Sequence, residues 1–246
     1  MEILITICAR GGSKGILGKN IKMINGKPLI YYTLNTANLF KDKLDSPIDI
    51  VISTDSNEIK SVVSSLEFQL DLNYIRPDFL ATDSAGKIGA IKDVKSYMEK
   101  KYIKKYDYVL DLDVTSPLRS VKDLENALEI IKNNKEAYNL FSASPANRNP
   151  YFNMVEKNKD GFYDLCKHSE YLTRQFAPQV LELNASFYWY KKTYFEMDFN
   201  SAITNKSLVY IMDHVCFDLD HPIDFDFMEY LLENNKIDFN FIWYVF

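Results

Sequence analysis

Short apolar runs alternate with longer segments of helical periodicity from the start of the chain. Residues 3–9 have the pattern of a buried strand, and the apolar residues that follow Pro28 recur at helical spacing. The same order returns at 48–53 and at 108–114, each followed by an amphipathic segment. Crossover connections between such strands are right-handed in almost all proteins. The sequence therefore predicts an α/β fold with a doubly wound, mainly parallel sheet.

Two of the predicted helices begin with a capping pattern. Asp55-x-x-Glu58 precedes one apolar helical face, and Ser120-x-x-Asp123 precedes another. The side chain of a cap residue accepts a hydrogen bond from an N–H group of the first helical turn. We therefore expect helices to begin at these two places.

The regular alternation stops near residue 139. Pro145 and Pro150 interrupt the pattern, and residues 184–190 alternate like a strand at an exposed edge of a sheet. We interpret residues 1–246 as a single domain in which approximately 139–192 form an insertion. We expect this insertion to serve dimerisation and substrate binding.

The composition argues against several kinds of partner. A formal net charge of −5 is unlike that of nucleic-acid-binding proteins, which usually have a basic surface. No apolar run approaches the roughly 20 residues of a membrane-spanning helix, and the first residues lack the pattern of a signal peptide. Cys8, Cys166 and Cys216 have no metal-ligand spacing and cannot form a closed set of disulfides. We expect a cytoplasmic protein with no nucleic-acid or membrane partner.

A glycine-rich loop with several cations follows the first predicted strand. The segment is Arg10-Gly11-Gly12-Ser13-Lys14-Gly15, with Lys19 and Asn20 behind it. Glycines let backbone N–H groups approach phosphate oxygens, and arginine and lysine neutralise the phosphate charge. The spacing matches neither the GxxxxGK[ST] loop nor the GxGxxG loop of dinucleotide-binding oxidoreductases. The segment therefore indicates a phosphate site of another kind.

Two pairs of aspartates have the spacing of residues that share one face of a strand. Asp218 and Asp220 come at the end of a predicted strand, so we expect both carboxylates to point the same way. Mg²⁺ binds through a few carboxylates together with phosphate oxygens, which this arrangement would suit. Asp111 and Asp113 form the second pair. A single D-x-D pattern is common and usually solvated, so neither pair identifies a metal site by itself.

Ordered motifs along almost the whole chain resemble those of the CMP-sialic acid synthetase family. The motifs are Cys8-Ala9-Arg10-Gly11-Gly12-Ser13-Lys14-Gly15 with Lys19-Asn20, Ser53-Thr54-Asp55-Ser56, Arg76-Pro77 with Leu80-Ala81-Thr82-Asp83, Thr115-Ser116-Pro117-Leu118-Arg119, Arg174-Gln175 with Pro178 and Asn184-Ala185-Ser186, and Phe217-Asp218-Leu219-Asp220. Several motifs in one order are far harder to obtain by chance than one glycine loop.

This resemblance implies a nucleotide-diphospho-sugar transferase-like fold, usually homodimeric, that uses CTP and Mg²⁺. By position, the nucleotide-binding residues would be Arg10, Gly11, Gly12, Ser13, Lys14, Lys19, Asn20, Arg76 and Lys87. The catalytic residues would be Lys19, Arg10, Asp218 and Asp220, the two aspartates being the metal ligands. Lys19 would stabilise charge at the reacting α-phosphate, and Arg76 and Lys87 would lie near the cytidine.

The resemblance also suggests the sugar substrate. Many sialate-activating relatives have glutamine where this chain has Asp113, and the segment here is closer to the branch that activates legionaminic acid and related bacterial nonulosonates. An acidic residue at this position could bind a metal or a differently substituted sugar, so Asp113 is a candidate for the sugar site. Arg174 is the candidate for the sugar carboxylate, since a guanidinium pairs with a carboxylate in bidentate fashion. Gln175, Asn184 and Tyr188 could line the same pocket, although Tyr188 fits equally well as a core residue of a strand.

Several alternatives remain open at this stage. The substrate could be N-acetylneuraminate, or the chain could be a Kdo-type synthetase, although it lacks the Gly-Asp-Glu-Pro segment typical of that branch. A regulatory protein that binds CTP without turnover is a further alternative. The general base could be Asp113, Asp218 or a metal-bound hydroxide. His168, His214 and His221 have no metal-ligand spacing, and we interpret them as surface or cap residues.

Overall fold

The computed structural model describes residues 1–12, 15–82, 84–237 and 239. The strands are β1 (Ile3–Cys8), β2 (Met23–Ile24), β3 (Lys27–Pro28), β4 (Ile48–Ser53), β5 (Tyr108–Leu112), β6 (Asn139–Pro145), β7 (Val155–Lys157), β8 (Tyr163–Leu165), β9 (Leu181–Lys191) and β10 (Ser207–Ile211). The α-helices are α1 (Leu29–Lys43), α2 (Asn57–Ser64), α3 (Lys87–Tyr102), α4 (Val121–Asn133), α5 (Lys192–Glu196) and α6 (Pro222–Glu233). In the described part of the chain, no helix has the length and apolar character needed to cross a membrane.

The core of the fold is a six-stranded sheet in the order β10-β6-β9-β5-β1-β4. The pairs β1–β4, β1–β5 and β10–β6 are parallel, and β9 is antiparallel to both of its neighbours. Five strands therefore run one way and one runs against them. The predicted doubly wound, mainly parallel sheet is confirmed.

Both faces of the sheet are covered. Alternate residues of β1 enter different clusters, because successive side chains of a strand point to opposite faces. Ile5 packs in the cluster that contains residues of α1 and α4, whereas Leu4 packs in the cluster that contains residues of α3. Both side chains are completely buried. This explains why β1 is apolar at nearly every position rather than at every second one.

One predicted helix start is confirmed and the other is wrong by one residue. Ser120 caps α4 in a full capping box with Asp123. At α2 the cap is Ser56, whose Oγ accepts a hydrogen bond from the Ile59 N–H at 3.3 Å. The Asp55 carboxylate instead accepts from the N–H of Gly11 at 2.9 Å. The residue that looked like a cap therefore holds the glycine loop.

The predicted edge strand at 184–190 is wrong, because β9 lies inside the sheet between β5 and β6. Its register shifts at Phe141/Ala143 of β6, and Ala185 has a positive φ of 56°. This bulge changes which side chains of β9 face each side of the sheet. Both ends of the proposed insertion, β6 and β9, thus belong to the sheet.

Residues 146–180 leave the sheet and form the arm. The arm contains the β7–β8 hairpin. Three of its large apolar side chains are strongly exposed, namely Phe162 at 73%, Leu172 at 91% and Phe176 at 77%. The insertion predicted over 139–192 is therefore shorter than expected.

Candidate active site

The carboxyl ends of β4, β1 and β5 lie side by side and carry most of the predicted site. Arg10 follows β1, Asp55 follows β4 and Asp113 follows β5. Ligands of open α/β sheets bind beyond these strand ends. Residues that are about 100 positions apart in the sequence are thus brought to one edge of the sheet.

The described part of the glycine loop is held by close backbone contacts. A Cβ atom at Gly11 would lie 2.9 Å from the Cβ of Ser56, so this position requires glycine. The Asn20 amide donates to the Arg10 carbonyl at 3.0 Å and closes the loop from its far side. Gly12 is exposed. Ser13 and Lys14, both predicted to bind phosphate, lie outside the described residues.

Lys19 and Asp220 form an ion pair of 2.8 Å between residues 201 positions apart. The Lys19 side chain is largely buried, with 15% exposed, whereas that of Asp220 is 58% exposed. The Leu219 N–H donates to the Thr115 carbonyl at 2.8 Å, and the Leu219 side chain is completely buried. This anchor sets the two flanking aspartates beside the glycine loop, as the motifs implied.

Asp218 differs from its sequence-based description. It lies outside any strand, and it is half-buried whereas Asp220 is exposed. Burial raises the pKa of Asp218, and the carboxylates of Asp113 and Asp220 add to this effect, whereas Thr115 and Lys19 oppose it. Its Oδ1 atom is buried and has no hydrogen-bond partner among the described residues.

A buried carboxylate oxygen without a donor is costly, and a hard cation would satisfy it. The Asp220 carboxylate, next in the motif, is exposed enough to share such an ion. Asp218 and Asp220 therefore fit the donor set of a Mg²⁺ ion. The metal assignment itself stays a prediction.

Asp113 is held rigidly at the end of β5. Its Oδ1 accepts from the backbone N–H and the hydroxyl of Thr115, each at 2.9 Å, and its Oδ2 lies 2.7 Å from Lys87 Nζ. Burial would raise the pKa of Asp113, but Lys87 and Thr115 lower it to about 2. A carboxylate with so low a pKa is a poor proton acceptor. This disfavours Asp113 as the general base.

The ammonium group of Lys87 contacts two acidic side chains. Its Nζ lies 2.7 Å from Oδ2 of both Asp111 and Asp113. Burial would lower the pKa of Lys87, but the two carboxylates raise it well above its usual range. The predicted contact of Lys87 with cytidine stays a prediction, and its observed partners are the two aspartates.

Two buried arginines support the site from behind. Arg76 donates to the hydroxyl and the carbonyl of Ser53 at 3.0 and 2.7 Å, so it is not the surface arginine that its position before a proline suggests. Arg119 donates to Ser186 Oγ at 2.8 Å and also to the carbonyls of Asp113 and Ser116. Burial lowers the pKa of Arg119 to about 10.

Sequence reasoning assigned no role to Arg119 or Thr115. Their only signal was the Thr-Ser-Pro-Leu-Arg motif. That motif does not reveal that both side chains fold back onto the loop after β5.

The five sugar-site candidates are not gathered in one place by described contacts. The ring of Tyr188 lies 5.7 Å from Lys87 Nζ, at the edge that carries Asp113. Asn184 is buried in the bulge of β9, where its amide bonds to the Ser142 and Ser144 hydroxyls. Arg174 lies in the arm and donates to the Ala146 carbonyl at 2.9 Å, next to an exposed Gln175. Their roles toward the sugar stay predictions.

The expectation for the histidines holds at two of three positions. His168 is exposed, and His221 is the N-cap residue of α6. His214 is not a surface residue, since only 7% of its side chain is exposed. Its Nε2 lies 3.0 Å from Asp123 Oδ2.

Comparison with known proteins gives a consistent picture. The family model described as cytidylyltransferase matches residues 4–240. Post-translational flagellin modification protein B of Campylobacter coli is 38% identical, over 96% of this chain and 97% of its own length. CMP-N,N'-diacetyllegionaminic acid synthase of Campylobacter jejuni is 37% identical, over 94% of this chain and 95% of its own length.

A solved structure of CMP:2-keto-3-deoxy-manno-octonic acid synthetase complexed with CTP has the same fold. Its TM-score is 0.67 at 14% identity, and the match covers 96% of this chain and 100% of that one. The family match spans nearly the entire chain, and the glycine loop, Lys19 and the two aspartates meet at the edge where this fold binds ligands. The chain therefore belongs to the cytidylyltransferase family.

Proposed function

We propose that this protein transfers CMP from CTP to the anomeric hydroxyl of a nine-carbon, sialic-acid-like sugar acid and releases pyrophosphate. One observation supports the proposal most strongly. In this member of the cytidylyltransferase family, the glycine loop, Lys19 and Asp218 lie together at one edge of the sheet. A loop of backbone donors and cations suits a triphosphate, and the acidic segment opposite suits its metal ion.

The roles of the residues follow from their positions. The N–H groups of the glycine loop and Arg10 would hold the triphosphate, and Lys19 would stabilise charge that develops at the α-phosphate. Positioning and charge stabilisation supply most of the catalysis in phosphoryl transfer. Mg²⁺ held by Asp218 and Asp220 would withdraw electron density from phosphate oxygens. The sugar oxygen forms the new bond to the α-phosphorus while its hydroxyl proton passes to a base, for which Asp218 is the remaining protein candidate, and pyrophosphate leaves with the electrons of the broken P–O bond.

Legionaminic-acid-type sugars are the substrates that we favour. A relative 37% identical over almost the whole chain is named for CMP-N,N'-diacetyllegionaminic acid synthesis. The acidic Asp113, ionised and fixed by Lys87, would offer acceptors to a donor on the sugar, such as an N-acyl amide. N-Acetylneuraminate and Kdo are the alternative acids.

The arm supports a homodimer. Its exposed apolar side chains include Phe162, Leu172 and Phe176. Exposed apolar side chains close together often mark a protein–protein interface, and a second copy of the chain would cover these. We also place the reaction in the cytoplasm, which agrees with three unpaired cysteines. Sedimentation velocity of the protein and of a Leu172→Lys variant tests the dimer, which the charged variant should weaken.

The direct test is pyrophosphate release from CTP and Mg²⁺ with N-acetylneuraminate, di-N-acetyl-legionaminate, pseudaminate or Kdo. We expect release with di-N-acetyl-legionaminate at the highest kcat/KM, and none without a sugar acid. Preference for another acid would change the substrate but keep the reaction. CTP binding without release for any acid would contradict the proposed transfer and favour a regulatory role.

A further inference from the structure

The ammonium group of Lys87 lies between two carboxylates at the end of β5. Nζ is 2.7 Å from Asp111 Oδ2 and 2.7 Å from Asp113 Oδ2. Asp111 is completely buried, and the Lys87 side chain is 33% exposed. The Asp113 side chain is 21% exposed. A buried and a half-buried negative charge are unstable side by side unless a cation lies between them. Lys87 is that cation.

Each of these carboxylates is also fixed through its other oxygen. The Thr6 hydroxyl donates to Asp111 Oδ1 at 2.8 Å, and Thr115 donates twice to Asp113 Oδ1 at 2.9 Å. The remaining oxygens, one from each carboxylate, converge on a single position. Carboxylates arranged in this way are typical ligands of Mg²⁺ or Mn²⁺, and here an ammonium group occupies the position.

The second acidic pair differs in this respect. Lys19 contacts Asp220 at 2.8 Å, but Asp218 Oδ1 is buried without a hydrogen-bond partner among the described residues. The Thr115 hydroxyl donates to Asp113 and also lies close enough to Asp218 to lower the pKa of that carboxyl. The two pairs are therefore neighbours. Asp111 Oδ2 also lacks a hydrogen bond, but its charge is paired with the Lys87 ammonium at 2.7 Å, whereas the described residues place no such cation at Asp218 Oδ1.

We propose that Lys87 is a positioning residue that takes the place of a divalent cation at Asp111 and Asp113, so that the enzyme needs a metal ion only at Asp218 and Asp220. The ammonium holds the Asp113 carboxylate in one orientation at the edge of the site. The statement about the number of metal ions needed for turnover rests on the proposed function. The number of ions that the protein binds without substrates does not depend on that function.

The test counts Mn²⁺ ions bound per chain by electron paramagnetic resonance, without nucleotide or sugar. Lys87→Met leaves the two carboxylates without their cation, so it should bind one ion more than the unaltered protein. Lys87→Arg keeps the charge and should bind the same number as the unaltered protein. Adding Asp113→Asn to Lys87→Met should remove the extra ion, because only one carboxylate then remains.

An unchanged ion count in folded Lys87→Met would overturn the proposal. Lys87→Gln is measured in parallel, since its amide keeps one hydrogen bond to a carboxylate while the charge is lost. Circular dichroism identifies the folded variants, and either one decides the question.

The outcomes separate this proposal from the proposed function. If the unaltered protein releases pyrophosphate but the variants bind no extra ion, the proposed function is supported and the proposed role of Lys87 is wrong. If the variants bind an extra ion but no sugar acid gives pyrophosphate release, the role of Lys87 is supported and the proposed function is wrong.

Discussion

Replacing Arg119 with lysine removes hydrogen bonds that hold the loop after β5, whose Asp113 and Ser116 carbonyls keep, among the described residues, only the bonds from the Thr33 and Ser186 hydroxyls. The three guanidinium nitrogens of Arg119 serve four acceptors: Ser186 Oγ at 2.8 Å, Thr33 Oγ1 at 3.3 Å, and the carbonyls of Asp113 and Ser116. A lysine has a single nitrogen and cannot reach acceptors on both sides of a planar fork. We expect Arg119→Lys to lose about two of these bonds.

The magnitude follows from the burial of the side chain. Arg119 is completely buried, and a hydrogen bond to a charged group contributes about 1.5–3 kcal/mol to stability. The bond to Thr33 is long at 3.3 Å, so the lower end of this range applies to it. We therefore expect Arg119→Lys to lower the free energy of unfolding by about 3 kcal/mol, a large share of the total for a domain.

Urea unfolding followed by circular dichroism measures this change through the shift of the midpoint at a constant m value. The matched control is Arg148→Lys, because Arg148 is exposed and should change stability by less than about 0.5 kcal/mol. If the two variants differ by less than about 1 kcal/mol, Arg119 does not hold the loop in the way that its contacts indicate.

Three further changes test other parts of the site. Asp220→Ala should lower kcat at least ~100-fold with little change in CTP affinity, because it removes a proposed metal ligand; unchanged turnover would contradict that assignment. Gly11→Ala should cost about 1–3 kcal/mol of stability in urea unfolding, since its Cβ would lie 2.9 Å from Ser56, while Gly12→Ala has open space and should be nearly neutral. Burial lowers the pKa of His214, but the contact with Asp123 more than offsets this and raises it. The stabilisation that protonated His214 gives the fold is therefore present below about pH 6.5, and it is lost as the pH rises through the pKa of His214 in the folded protein. His214→Gln should remove that slope of the urea midpoint between about pH 5.5 and 8.5, and a persistent slope would refute the assignment.

The parts of the fold that depend on local chemistry could be predicted from the sequence. The apolar run of β1 and the helical period of α1 are visible in a few consecutive residues. The Ser120 capping box is equally local and is present in the structure. At α2 the same reasoning chose Asp55 over Ser56, since both are good caps and the acid is recruited by Gly11, 44 residues away.

The contacts of the site depend on strand order, which local patterns do not contain. Lys87 reaches Asp111 and Asp113 only because α3 packs on β1, the strand that lies beside β5 in the sheet. The motifs indicated which residues matter, but a lysine near a glycine turn looks the same whether it binds phosphate or aspartate. The position of β9 was missed for a similar reason, since nothing local in its sequence shows that β5 and β6 lie on either side of it.

The antiparallel direction of β9 determines where the arm lies. β6 runs parallel to β5 and ends at Pro145, and β9 starts beside it, with Leu181 paired to Pro145. The arm between them must therefore leave and re-enter the sheet at the carboxyl edge, which is the edge that carries the glycine loop and Asp113. A parallel strand in the place of β9 would have required the chain to cross to the opposite edge first. The one reversed strand thus keeps Arg174 on the same side as the nucleotide site, although no described bond joins them, and a role of the arm in sugar binding needs no rearrangement of the sheet.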